Sequence, residues 1–73
     1  MIDSNLIQKK FGSRVGNLRK QAGFSQELFA YKCGFHRTYM VCSEWGSKNL
    51  TTVNIKKISL ALNISTSDLF QSL

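Results

Sequence analysis

The chain has 73 residues, enough for one domain over 1–73 and no second one. Ten Lys+Arg against four Asp+Glu give a net charge of +6 and a pI near 9.8, which draws the domain towards polyanions, nucleic acid first and anionic membrane second. Four acids and one His leave no pair spaced for general acid–base work, and no stretch approaches the roughly 18 apolar residues of a membrane span.

The apolar pattern is helical throughout, with no strand-like alternation, no Pro and no Gly/Ser linker. The first helix is expected from about Ser4 to Gln21. Ile7, Phe11, Val15, Leu18 and Ala22 step by three and four and predict one buried stripe, closed by Gly23. Gly12 and Gly16 lie inside it, each at a cost of up to about 1 kcal/mol relative to Ala, which points to close helix contact. Ser25 is a good N-cap for the second helix, with Glu27 giving only dipole help. The third helix starts at His36, a mediocre cap, and ends at Gly46. A polar loop, SKNLTT, follows with Lys48 in it. Thr51 or Thr52 caps a fourth helix carrying Ile55, Ile58, Ala61 and Leu62, and Asn63 ends it. Ser65-Thr66-Ser67-Asp68 reads as a capping box opening a short fifth helix with Leu69 and Phe70. The outcome is an all-α domain of five short helices around one small core.

The run from Gln26 to Trp45, QELFAYKCGFHRTYMVCSEW, carries the function. Ala30 is small enough for a second helix to cross close by. Gly34, four residues on, takes positive φ cheaply at the turn, and Phe35 and Met40 point back into the corner. This is a helix-turn-helix over about residues 25–45, whose second helix is shaped for a DNA major groove. The outward stripe of that helix is Arg37, Thr38, Val41, Cys42 and Trp45, with Met40, Ser43 and Glu44 opposite. Arg37 presents a fork to guanine O6 and N7. Thr38 offers a hydroxyl and a methyl, and Val41 and Cys42 suit a thymine methyl. Phosphate contacts are expected from Lys48, from the Ser25–Gln26 amides at a helix N-terminus, and from Lys32 and Tyr39.

Cys33 and Cys42 make no disulfide framework, and with His36 alone they fall short of four zinc ligands. Cys33 reads as a small buried hydrophobe and Cys42 as a plain thiol on the outward stripe. No metal, cofactor or small-molecule ligand is expected. The start, MIDSNLIQKK, lacks a secretory pattern, so a cytoplasmic location is expected. A domain this small buries only about 60% of its unfolded surface, so a partner would help it. Val53 and Leu60 lie on one side of the fourth helix, away from its core side, and Ile64 and Phe70 extend the patch. These four residues are the expected homodimer interface.

The segments FGSRVGNLRKQAGFSQ and IKKISLALNISTSDLF, with the helix-turn-helix between them, resemble the Cro and phage-repressor type, the XRE family. Within it, HRTY followed by SKNLT is similar to the restriction–modification controller proteins, where Arg-Thr-Tyr and Arg-Asn-Leu-Thr are usual. The resemblance implies a five-helix phage-repressor-like fold, a symmetric dimer and binding to a pseudo-palindromic DNA operator. It implies DNA contacts from Gln26, Arg37, Thr38, Tyr39 and Lys48, with Asn49 beside Lys48 in the same loop motif. It also implies a partly buried ion pair between Arg19 and Glu44. Three positions depart from the pattern. Ser43 stands where Ile or Leu faces the core, Val41 where a controller has Ser, and Trp45 where Arg or Asn is common. Trp45 is open to three readings: packing on a sugar, packing on a neighbouring protein, or covering the core edge. The rival functions are a phage-type repressor or Cro, and an antitoxin that binds a partner protein as well as DNA.

Overall fold

The chain is described by a computed structural model over residues 4–48 and 50–71. Its five helices are α1 (Ser4–Gln21), α2 (Gln26–Cys33), α3 (Arg37–Trp45), α4 (Thr52–Leu62) and α5 (Thr66–Leu69). No strand occurs among the described residues.

Local chemistry sets each boundary. The Ser25 hydroxyl accepts from the Leu28 N–H at 3.1 Å, Thr51 from Asn54 at 3.2 Å and Ser65 from Asp68 at 3.0 Å. Each thereby satisfies an amide with no partner inside its helix. Thr51, not Thr52, is the α4 cap. His36 caps α3 with its ring, which accepts from the Thr38 N–H through Nδ1 at 3.3 Å, and the helix proper begins at Arg37. Gly34 closes α2 at φ +74°. Its N–H donates to Tyr31 at 3.1 Å, and the Phe35 N–H donates to Ala30 at 2.8 Å. This paired closure turns the chain sharply into α3. Asn63 ends α4 in the same way at φ 58°.

The core is Phe11, Val15, Phe29, Ala30, Cys33, Met40, Ile58 and Leu69, drawn from all five helices. Leu18, Phe24, Phe35, Leu50, Ile55, Ala61, Leu62 and Ile64 pack around it. The stripe expected on α1 holds only in its middle: Phe11 and Val15 are buried and Leu18 partly so, but Ile7 and Ala22 are exposed. Ile7 lies in the first turns of α1 and Ala22 just past its end, beyond the part crossed by α3. Besides Arg19, two uncharged polar residues among those described are buried with the core, Ser43 and Ser59. Each turns its hydroxyl onto a carbonyl of its own helix, Tyr39 at 2.7 Å and Lys56 at 2.8 Å, and so acts as a small core side chain. Burial pushes the Cys33 thiol up to about 11, which keeps it protonated and inert. Both cysteines are free.

Candidate nucleic-acid interface

Helix α3 is held from beneath. Met40 is fully buried. Phe35 meets the Tyr39 ring edge-on, with centroids 4.9 Å apart. The Tyr39 hydroxyl accepts from Asn54 Nδ2 at 2.8 Å, tying α3 to the start of α4. Asn54 lies 15 residues from Tyr39 along the chain, and no local spacing signals the contact.

The strongest tie is electrostatic. Arg19 Nε donates to Glu44 Oε2 at 2.7 Å and Arg19 Nη2 to Glu44 Oε1 at 3.1 Å. Nη1 donates to the Phe24 carbonyl at 2.7 Å. Both side chains are 8% exposed. One fork therefore joins α1, the turn before α2 and the last turn of α3. Such a pair organises a core more than it stabilises one, but removing either partner strands a buried charge at a cost of about 3–5 kcal/mol. Glu44 Oε1 also accepts from Gln26 Nε2 at 3.2 Å. That uses one of the two amide hydrogens of Gln26. One N–H and the carbonyl oxygen remain, the donor–acceptor pair with which a Gln reads adenine.

With the underside fixed, the outward face of α3 is set. Arg37 and Thr38 are exposed, Val41 and Cys42 half-buried, and Trp45 exposed. Ser25 and Gln26 stand at the N-terminus of α2, where unpaired amides and the helix dipole favour a phosphate. Lys48 is exposed just after the Gly46 stop of α3. Asn49, expected beside it, lies outside the described residues. The Lys32 amino group sits 5.1 Å over the Phe24 ring, and Lys32 shares a groove with Tyr31, Lys57 and Leu60.

The candidate interface residues on α4 also separate. Val53 is 62% and Leu60 66% exposed. Phe70 is 43% exposed while stacking on Phe11 at 4.9 Å. Ile64 packs against the core of its own chain. Among the described residues no three His, Cys, Asp or Glu side chains are grouped to hold a metal ion, and no helix is long and apolar enough to cross a membrane.

Known proteins resemble this arrangement. The chain is 40% identical over 67 residues to the control protein C.BamHI of Bacillus amyloliquefaciens, covering 90% of this chain and 83% of that one. It is 40% identical over 70 residues to the control protein C.MunI of Mycoplasma sp, covering 94% and 95%. The crystal structure of the restriction-modification controller protein C.AhdI from Aeromonas hydrophila is similar to it with a TM-score of 0.87 and 40% identity, over 89% of this chain and 98% of that one. No family model matches the chain.

Proposed function

The chain belongs to the restriction–modification controller proteins, a family of helix-turn-helix regulators, and from that premise we propose that it binds a pseudo-palindromic operator as a homodimer and so controls restriction–modification genes. It is a DNA-binding transcription regulator. We assign it no catalytic step and no cofactor. Each subunit lays α3 in the major groove of one half-site, and the two half-sites lie about one DNA turn apart.

The observation that carries this reading is the division of α3 into a locked underside and an open face. Met40, Ser43 and Glu44 are buried or bonded beneath, and Arg37 and Thr38 stand free above. In this reading Arg37 reads a guanine, Thr38, Val41 and Cys42 read neighbouring base edges, and Gln26 reads or brackets the edge of the half-site. Lys48, Tyr39, Asn49 and the Ser25 amide hold phosphates. Val53, Leu60 and Phe70 form the twofold contact, with Ile64 supporting it from within the subunit.

The decisive test is Arg37→Ala, measured on a duplex that the protein selects from a random pool and on an unselected duplex of equal length. The expected loss is about 1–3 kcal/mol on the selected duplex, with relaxed preference at one base pair per half-site. An equal loss on both duplexes would reduce Arg37 to a phosphate contact.

A further inference from the structure

Trp45 stands on the outward face of α3, about 80° round the helix axis from Arg37 at about 100° per residue, and is 76% exposed. Beside it runs a cleft of about 420 Å³, walled by Ser13, Asn17 and Lys20 of α1 and reaching Gln26 at the start of α2. Lys9, one turn before Ser13, packs against Gly46 next to Trp45. Lys9, Ser13, Asn17 and Lys20 follow one another by four, four and three residues, so they form one exposed stripe of α1. The one carboxylate in the cleft, Glu44, is already bonded to Arg19 and Gln26. The ring therefore stands among cations, hydroxyl and amide groups, not in an apolar patch. Such surroundings suit a polyanion with apolar faces of its own.

We infer that this cleft is a second seat for the sugar–phosphate backbone, taking the strand as it leaves the half-site. The inference rests on the DNA-binding function given above. The Trp45 ring lies against the C–H face of a deoxyribose, and Lys20, Ser13 and Asn17 donate to the flanking phosphates. Gln26 stands at one end of the cleft and Trp45 borders it, so a duplex lying on α3 passes its backbone directly over it. Contact through a neutral ring releases no counterion, whereas contact through Lys20 does. The two halves of the seat are thus separable by salt.

Trp45 is the single Trp of the chain, so its emission reports the contact directly. Titration with the selected duplex, and with an unselected one, is expected to quench that emission and shield it from acrylamide. Trp45→Ala is expected to weaken both duplexes several-fold, through the apolar contact with the sugar that is lost, with no change of salt slope. Trp45→Phe recovers part of the loss. Lys20→Ala lowers the slope by about one per subunit. Unmoved emission in a fully formed complex, with Trp45→Ala binding like the wild type, would overturn the cleft assignment and leave the regulator intact. Emission that shifts with protein concentration in the absence of DNA would assign the ring to a second copy instead. Failure of the folded wild type to bind any duplex would overturn both inferences.

Discussion

Gly12 and Gly16 occupy the same face of α1, one turn apart, and their replacement by Ala is expected to have very different effects. A Cβ built on Gly12 meets the Ser43 carbonyl oxygen at 2.3 Å, the Glu44 carbonyl oxygen at 2.7 Å and the Glu44 carbonyl carbon at 2.9 Å. All three atoms belong to the backbone of α3, so no rotamer change relieves the clash. Ordinary contact begins at 3.4 Å, so α1 and α3 must part by about 1 Å. Overpacking of this kind costs about 1–3 kcal/mol, and more where the neighbours are rigid. The helix preference of Ala returns about 1 kcal/mol. Because the clash is with rigid backbone, the gross cost is expected at or just above the top of that range, about 3–4 kcal/mol, which leaves a net loss of about 2–3 kcal/mol. That is a large share of the roughly 4–11 kcal/mol available to a domain of this size. A Cβ on Gly16 meets only the tip of Glu44, Oε1 at 3.1 Å. A carboxylate can shift by a few tenths of an ångström, and the gain in helix preference then roughly cancels the disturbed bond to Arg19. Thermal unfolding at one fixed protein concentration, followed by circular dichroism, should show Gly12→Ala lowered by about 10–20 °C and Gly16→Ala within a few degrees of wild type. Equal stability of the two variants, or a larger loss at Gly16, would refute the claim that backbone contact at Gly12 sets the distance between α1 and the recognition helix.

Lys48→Ala should weaken all duplexes alike and reduce the salt slope by roughly one unit for each phosphate left without its cation, two for a dimer; an unchanged slope would place Lys48 in solvent. Leu60→Glu should give a monomer by sedimentation that keeps its helical circular dichroism and binds the selected duplex far more weakly, and a variant that remains dimeric would move the interface away from α4. A half-open pocket of about 110 Å³ lies between Ser43, Phe11, Leu50 and Ile55, with Ile7 and Phe70 at its mouth, so Ser43→Leu, which adds about three carbons at up to roughly 0.8 kcal/mol per methylene buried, should raise the unfolding temperature by a few degrees. A lowered unfolding temperature would show that a side chain from position 43 cannot reach the pocket.

Much of the fold is legible in the sequence because it is decided within a few residues. The Ser25, Thr51 and Ser65 caps bond three residues ahead, and Gly34 and Asn63 close their helices within five residues. The periodicity that marks α1 is equally local, but whether a residue on that stripe is covered depends on where α3 crosses. Ile7 therefore reads as core and stands exposed. Ser59 carries no signal of burial in its residue type and is fully buried, since its hydroxyl is satisfied by Lys56 in its own helix. Pairings between distant residues leave no trace in the spacing. Arg14 Nη2 donates to the Asp68 carbonyl at 2.9 Å, and Phe70 stacks on Phe11. The outward face of α3 follows from helical spacing, but the cleft beside Trp45 needs the packing of α1 against α3 before it exists.

The underside of α3 fixes the direction of a helix of only nine residues. A helix this short is not stable alone in water, so its direction must come from its neighbours. Glu44 supplies most of that, because its two oxygens accept from Arg19 on α1 and from Gln26 on α2 at once. The start of α2 and the end of α3 are therefore positioned by the same carboxylate. The Gln26 amide is thereby held in one orientation, and under the proposed function a rotamer that would otherwise have to be ordered on binding is already fixed. The cost falls on the core. Bringing the Glu44 backbone this close to α1 requires Gly12 to carry no side chain, and the small Ser43 leaves the neighbouring pocket unfilled. Packing is given up next to α3, where its placement is most tightly determined, and local rules of packing are expected to yield at sites of this kind.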